Sequence, residues 1–117
     1  MNSVTFTVAT PPSVNSLYRN VAGRGRVRTQ RYIGWLNAVG WDLEKLGRIE
    51  GPYEVEIRCA HDGRRDLDGY PKALLDALVK HDVTCDDRHL MRLVVEADPV
   101  LTDKSKVHVT VRKWQRG

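Results

Sequence analysis

The sequence predicts an α+β fold with elements in the order βαβαββ: a mixed four-stranded sheet with two helices packed on one face. Three observations lead there. Val4, Phe6 and Val8, then Tyr53, Val55, Ile57 and Cys59, then Val107, Val109 and Val111 alternate with polar residues, as strands with one buried face do. Two stretches repeat apolar residues every three to four positions, the period of an amphipathic helix. A chain of 117 residues, 41% hydrophobic, is sized for one core, so residues 1–117 are read as one domain.

Pro11-Pro12 ends the first strand, whose alternating threonines also favour β structure. From Ser13 to Arg28 neither period is present and Asn, Gly and Arg accumulate, which predicts a long loop with at most a short hairpin around Gly23-Arg24-Gly25. Long loops in compact domains are functional or disordered, and the arginines make this one a candidate DNA arm. Tyr18 within it is placed either to stack on a base or to pack. Thr29 can cap a helix whose apolar positions are Tyr32, Leu36, Val39, Leu43 and Leu46, with Gly34 and Gly40 weakening it and Gly47 suiting its end. Trp35 and Trp41 are assigned to core or dimer packing. The strand from Tyr53 to Cys59 leads to a second helix, Pro71 to His81, with Leu74, Leu75, Leu78 and Val79 on one side and Lys80 and His81 complementing its C-terminal dipole. A third strand is expected near Leu90 to Ala97. Asp98-Pro99 breaks it before the fourth.

The net charge is +4, from 19 Lys and Arg against 15 Asp and Glu, but its distribution says more. Arg19, Arg24, Arg26, Arg28 and Arg31 lie in a stretch without acids, and Lys104, Lys106, Arg112, Lys113 and Arg116 follow the last acid, Asp103. Residues 62 to 98 hold nine acids against six bases. Basic flanks around an acidic centre suit a polyanionic backbone whose approach to the acids is screened by a cation, although charge alone equally describes a solvated basic surface. No apolar run is long enough to span a bilayer and no basic-then-apolar leader opens the chain, so a cytoplasmic protein without a membrane partner is expected. Cys59 and Cys85 are too few for a disulfide framework, and Cys59-x-His61 and Cys85-x₃-His89 match no structural zinc spacing.

Chemistry concentrates in Arg64-Arg65-Asp66-Leu67-Asp68-Gly69-Tyr70-Pro71-Lys72 and in Asp86-Asp87. Pro71 disfavours helical backbone at Tyr70 and suits the first helical position, which puts Asp66 and Asp68 in an extended segment, two residues apart and on the same side. Mg²⁺ takes one or two carboxylates together with waters and phosphate oxygens, so these two, with one of Asp86 and Asp87, form a candidate site. Lys72, four residues beyond Asp68, can aim an ammonium at the same place, where phosphate charge builds up. Asp76, four residues further, is placed to orient Lys72 or to be a surface partner of little consequence. Aspartates before a helix are also ordinary caps, and Asp-Asp is an ordinary turn, so spacing by itself leaves both readings open.

The string RRDLDGYPKALLDALVKHDVTCDD resembles the central motif of RusA-type Holliday junction resolvases, and Pro11-Pro12-Ser13 with Asn15 and Tyr18-Arg19 resembles that family's N-terminal loop. The resemblance covers nearly the full chain. It implies metal ligation by Asp66, Asp68 and Asp87 and a catalytic role for these three and Lys72, while the acid-free run of Arg19, Arg24, Arg26, Arg28 and Arg31, with Lys72, is expected from its charge to contact DNA. It further implies a Mg²⁺-dependent endodeoxyribonuclease, with Mn²⁺ as a substitute, acting as a homodimer on four-way junctions by paired symmetric cuts that leave 5′-phosphate and 3′-hydroxyl ends. Gly69 departs from the family, which commonly has Asn directly after the second aspartate, and Pro71 is an unusual choice; a supporting hydrogen bond to the metal site is thereby in question. Two rival readings are a DNA-binding module of the same fold that has lost catalysis, and a nucleotide phosphoryl-transfer enzyme. The second lacks a P-loop or dinucleotide glycine pattern.

Overall fold

The computed structural model describes residues 2–115, so Arg116 lies outside the described residues. Its elements are β1 (Ser3–Ala9), β2 (Tyr18–Val21), β3 (Gly25–Arg28), α1 (Gln30–Leu43), β4 (Tyr53–Cys59), α2 (Pro71–Lys80), β5 (Leu90–Ala97) and β6 (Lys106–Lys113). The main sheet has the order β1-β6-β4-β5, with β6 antiparallel to both neighbours and β4 parallel to β5. This is the mixed four-stranded sheet expected. Alternation does the sorting: Val4, Phe6 and Val8 of β1, Tyr53, Val55, Ile57 and Cys59 of β4, and Val107, Val109 and Val111 of β6 all enter one core with the buried residues of α1 and α2. In α1 these are Tyr32, Trp35, Leu36, Val39 and Leu43, and in α2 Ala73, Leu74, Ala77 and Leu78. Truncating the buried Leu36 or Leu78 to alanine would cost about 2–5 kcal/mol.

The opposite face of the sheet is polar. Arg112 pairs with Glu54 and Glu56, Arg92 with the same two acids, and Arg58 with Asp98. Hydrogen bonds from Arg112 and then Arg92 outweigh burial and hold the Glu56 carboxyl below its usual range. Arg112, counted by sequence among the C-terminal basic residues, is therefore engaged within the protein.

Four local expectations are corrected. The stretch after Ser13 is not one long loop: a 3₁₀ turn at Val14–Ser16 precedes the hairpin expected around Gly23-Arg24-Gly25, which is longer than expected and pairs Tyr18 with Arg28, Asn20 with Arg26 and Val21 with Gly25. Arginines occupy positions where apolar residues would have shown a strand period, while Gly23 (φ 77°) and Gly25 (φ 73°) supply the left-handed backbone of the turn. Helix α1 stops at Leu43, not at Gly47, although Thr29 caps it as expected, its hydroxyl accepting from the Tyr32 amide at 3.2 Å. Trp35 belongs to the core and not to a dimer surface, its indole N–H donating to the Ala9 carbonyl at 2.9 Å, whereas Trp41 is 78% exposed. Finally, Tyr70 is helical (φ −93°, ψ −39°) despite preceding Pro71, and Asp68 lies inside a 3₁₀ turn, Leu67–Gly69, instead of an extended segment. Burial of Tyr70 and the bond from the Gly69 amide to the Asp66 carbonyl at 3.0 Å outweigh the proline bias.

Candidate functional site

Only Asp66 of the aspartate pair is extended (φ −76°, ψ 146°), and it precedes the turn that carries Asp68. Neither carboxylate caps the turn, and both are exposed. They line one cleft of about 130 Å³ together with Ser13, Asn15 and Arg64. The proline loop near the N-terminus and the central motif, more than fifty residues apart, therefore meet at one place. Arg65 joins them. Its guanidinium donates to the carbonyls of Pro11 (2.7 Å), Pro12 (3.2 Å) and Gly69 (3.1 Å) and lies 4.1 Å from the centroid of the Tyr70 ring. Sequence reasoning gave Arg65 no role; the signal available was its place next to Asp66. Its Nε is buried without a hydrogen-bond partner among the described residues. Gly69 is adjacent: a Cβ there would stand 3.7 Å from that Nε, an ordinary contact, so the backbone does not demand glycine.

Lys72 is in the first turn of α2, with its Nζ 3.2 Å from Asp76 Oδ1. Burial lowers the lysine's proton affinity, but the hydrogen bond and charge of Asp76, with smaller contributions from Tyr18 and Asp87, raise it above the ordinary value overall. Lys72 is thus held as an ammonium, suited to offset phosphate charge and unsuited to take a proton.

Asp86 and Asp87 sit in a neighbouring cleft of about 340 Å³ with Asp76, Arg28 and Lys80. Their environments differ. Asp86 caps the 3₁₀ turn Asp87–His89, accepting from the Arg88 amide at 2.9 Å and from its guanidinium Nε at 3.1 Å, and these bonds hold its carboxyl down to about 2. Asp87, exposed, is in no ion pair among the described residues. The structure thus brings Asp66 and Asp68 together, and Asp87 with Asp76, but among the described residues no three acidic, His or Cys side chains stand close enough to hold one ion. An exposed pair of unengaged carboxylates fits a hard, oxygen-seeking cation that draws its remaining ligands from water and phosphate.

The arginines surround these clefts. Arg19 and Arg26 line an open cavity of about 350 Å³ with Asn15, Tyr18 and Asn20, and Arg26 lies 4.4 Å from the Tyr18 ring centroid. Arg24 is exposed at the hairpin tip, and Arg31 is exposed in the first turn of α1. Arg28 lies 5.5 Å from the Tyr32 ring centroid and also lines the cleft of Asp86 and Asp87, so the hairpin reaches the acidic centre.

The family described as "Endodeoxyribonuclease RusA" matches residues 9–112. The chain is 31% identical over 115 residues to the crossover junction endodeoxyribonuclease RusA of Escherichia coli O139:H28, and 30% identical to that of strain K12, each alignment covering 95% of both chains. It is 29% identical over 116 residues to the protein of the same name from Enterobacteria phage 82. On a match over most of its length and relatives about 30% identical from end to end, the chain belongs to the RusA endodeoxyribonuclease family.

Proposed function

We propose that this protein is a Mg²⁺-dependent, structure-selective endodeoxyribonuclease that resolves Holliday junctions by paired, symmetric phosphodiester cuts. The observation carrying the reading is the cleft where Asp66 and Asp68, without a side-chain partner among the described residues, stand beside the anchored proline loop, one turn before a lysine held cationic. Asp66 and Asp68 would hold the metal, Mg²⁺ or in its place Mn²⁺, and Asp87, which lines the neighbouring cleft and does not reach a common ion in this structure, would join them as third ligand in the DNA-bound state. A divalent cation supplies polarisation of the scissile phosphate and acidification of the attacking water. Lys72 offsets charge on the phosphoryl oxygens, and Arg19, Arg24, Arg26, Arg28 and Arg31 hold the flanking phosphates. The engagement of Asp86 by its own backbone turn favours Asp87 as the third ligand. Two free cysteines fit a reducing cytoplasm, and no helix among the described residues is long and apolar enough to cross a membrane.

Two active sites are needed for two opposing strands, and a two-fold homodimer presents both at once. The edge strand β5 offers the surface, with Met91 (54% exposed) and Leu93 (39% exposed) side by side. Cleavage of synthetic four-way junctions against linear duplex, with and without Mg²⁺, tests the activity: metal-dependent nicking restricted to junctions is expected. Binding without cutting at any metal concentration would favour instead the non-catalytic DNA-binding reading.

A further inference from the structure

We infer that Asp76 and Tyr32 act as a positioning pair for Lys72, fixing where its ammonium stands beside Asp76, a residue lining the cleft of Asp86 and Asp87. The inference rests on the reading of Lys72 as the site's cation. A lysine on the first turn of a helix, its side chain 51% exposed, would ordinarily sample many rotamers, and an i, i+4 carboxylate on a helix surface restrains it weakly. Asp76 is not such a surface partner. Its side chain is 18% exposed, and its second oxygen accepts a 2.6 Å hydrogen bond from the hydroxyl of Tyr32, a residue on the other helix. One carboxylate oxygen is thereby pinned from the core and the other is turned toward Lys72 Nζ.

Tyr32 is itself immobilised. It is fully buried, with Tyr18 edge-on at 5.9 Å, Trp35 stacked at 6.4 Å and Arg28 over the ring at 5.5 Å. Those contacts tie the pair to the arginine hairpin as well as to α1. Burial first, and the Asp76 carboxylate next, push the phenol far above its ordinary proton affinity, so Tyr32 remains an O–H donor throughout the working range. The charged and titratable groups that bear on Lys72 are Asp76 from its own helix, Asp87 from the turn before β5 and Tyr18 from the hairpin. Asp76 exerts the largest stabilising influence among them, and removing its charge lowers the pH at which Lys72 becomes neutral.

The test compares Asp76→Asn, Asp76→Glu, Tyr32→Phe and Lys72→Met with the wild type, by single-turnover cutting of a four-way junction, by junction affinity in Ca²⁺, and by NMR titration of the Lys72 side chain. Asp76→Asn is expected to cut about 10- to 100-fold more slowly with affinity changed less than about twofold, and Tyr32→Phe about two- to tenfold more slowly. In Asp76→Asn the Lys72 titration and the alkaline limb of the rate profile both move to lower pH, and Asp76→Glu recovers part of the rate and of the titration. Wild-type cutting by Asp76→Asn with Lys72→Met inactive overturns the pair while leaving the lysine reading intact. Wild-type cutting by Lys72→Met overturns the lysine reading itself. A higher Mg²⁺ requirement in Asp76→Asn with an unmoved Lys72 titration also overturns the inference, because Asp76 would then belong to the metal site.

Discussion

Replacing the carboxylate of Asp66 or Asp68 with a carboxamide keeps the shape but exchanges one acceptor oxygen for an N–H donor and removes the negative charge a hard cation requires. Asp66→Asn and Asp68→Asn are each expected to abolish cutting while junction binding, read by gel shift, stays intact or tightens, since like charge facing phosphate has been removed. Near wild-type cutting by either would take that residue out of the site. Between the later aspartates, Asp87→Asn is expected to be the damaging change, because Asp86 is already engaged by Arg88. The reverse ranking would shift the third ligand by one residue. Gly69→Asn is a different kind of change: a Cβ meets only ordinary van der Waals neighbours, and the unpartnered Arg65 Nε lies within reach of a carboxamide oxygen. It should leave the denaturant midpoint unchanged or raised, and a clear drop would show that the pocket cannot take the family's usual residue.

Two elements carry the site's surroundings, the hairpin and the helix pair. Neutralising Arg24, Arg26 and Arg28 together should weaken binding to all DNA structures and flatten the salt dependence by up to about three units of slope, near 0.9 for each phosphate no longer neutralised. An unchanged slope would turn the hairpin toward solvent. Because Arg26 and Arg28 also rest on tyrosine rings while Arg24 is at the tip, Arg24→Gln is the cleanest single electrostatic probe. The helix pair closes over Gly40, where a Cβ would stand 2.5 Å from Cε1 of His81. His81 cannot easily retreat, since Nε2 donates to the Leu36 carbonyl at 2.7 Å and Nδ1 lies 3.0 Å from Glu44 Oε1. Gly40→Ala is therefore expected to destabilise the fold by about 1–3 kcal/mol despite better helix propensity, as read from urea unfolding.

For the molecule as a whole, a junction of two-fold symmetry meeting a chain with one Asp-x-Asp-Lys constellation calls for two copies. Sedimentation at micromolar concentration should return twice the 13.3 kDa chain mass, and Leu93→Lys with Met91→Lys on β5 should shift it to one. A monomer mass combined with paired cutting would refute the solution dimer and leave assembly on DNA. Trp114, half-buried at the end of β6, is a weaker candidate for that interface than the two β5 residues.

Alternation determined β1, β4 and β6, helical spacing both helices, and the residue type at Thr29 the cap, because each depends on residues near in sequence, whereas spacing singled out the candidate carboxylates without separating a metal site from ordinary caps and turns. Tertiary structure decided the rest. The glycines around Arg24 marked the turn of the hairpin, but its extent from Tyr18 to Arg28 was not legible, because its alternating positions are arginines held by rings of other residues, Arg26 over Tyr18 and Arg28 over Tyr32. The helical conformation of Tyr70 before a proline needed the buried pocket and the guanidinium of Arg65. Spacing likewise could suggest that Asp76 touches Lys72, but not that Tyr32, forty-four residues earlier, holds the other oxygen of the same carboxylate. Partners brought together by packing leave no period in the chain, so their pairing becomes legible only once the core has formed.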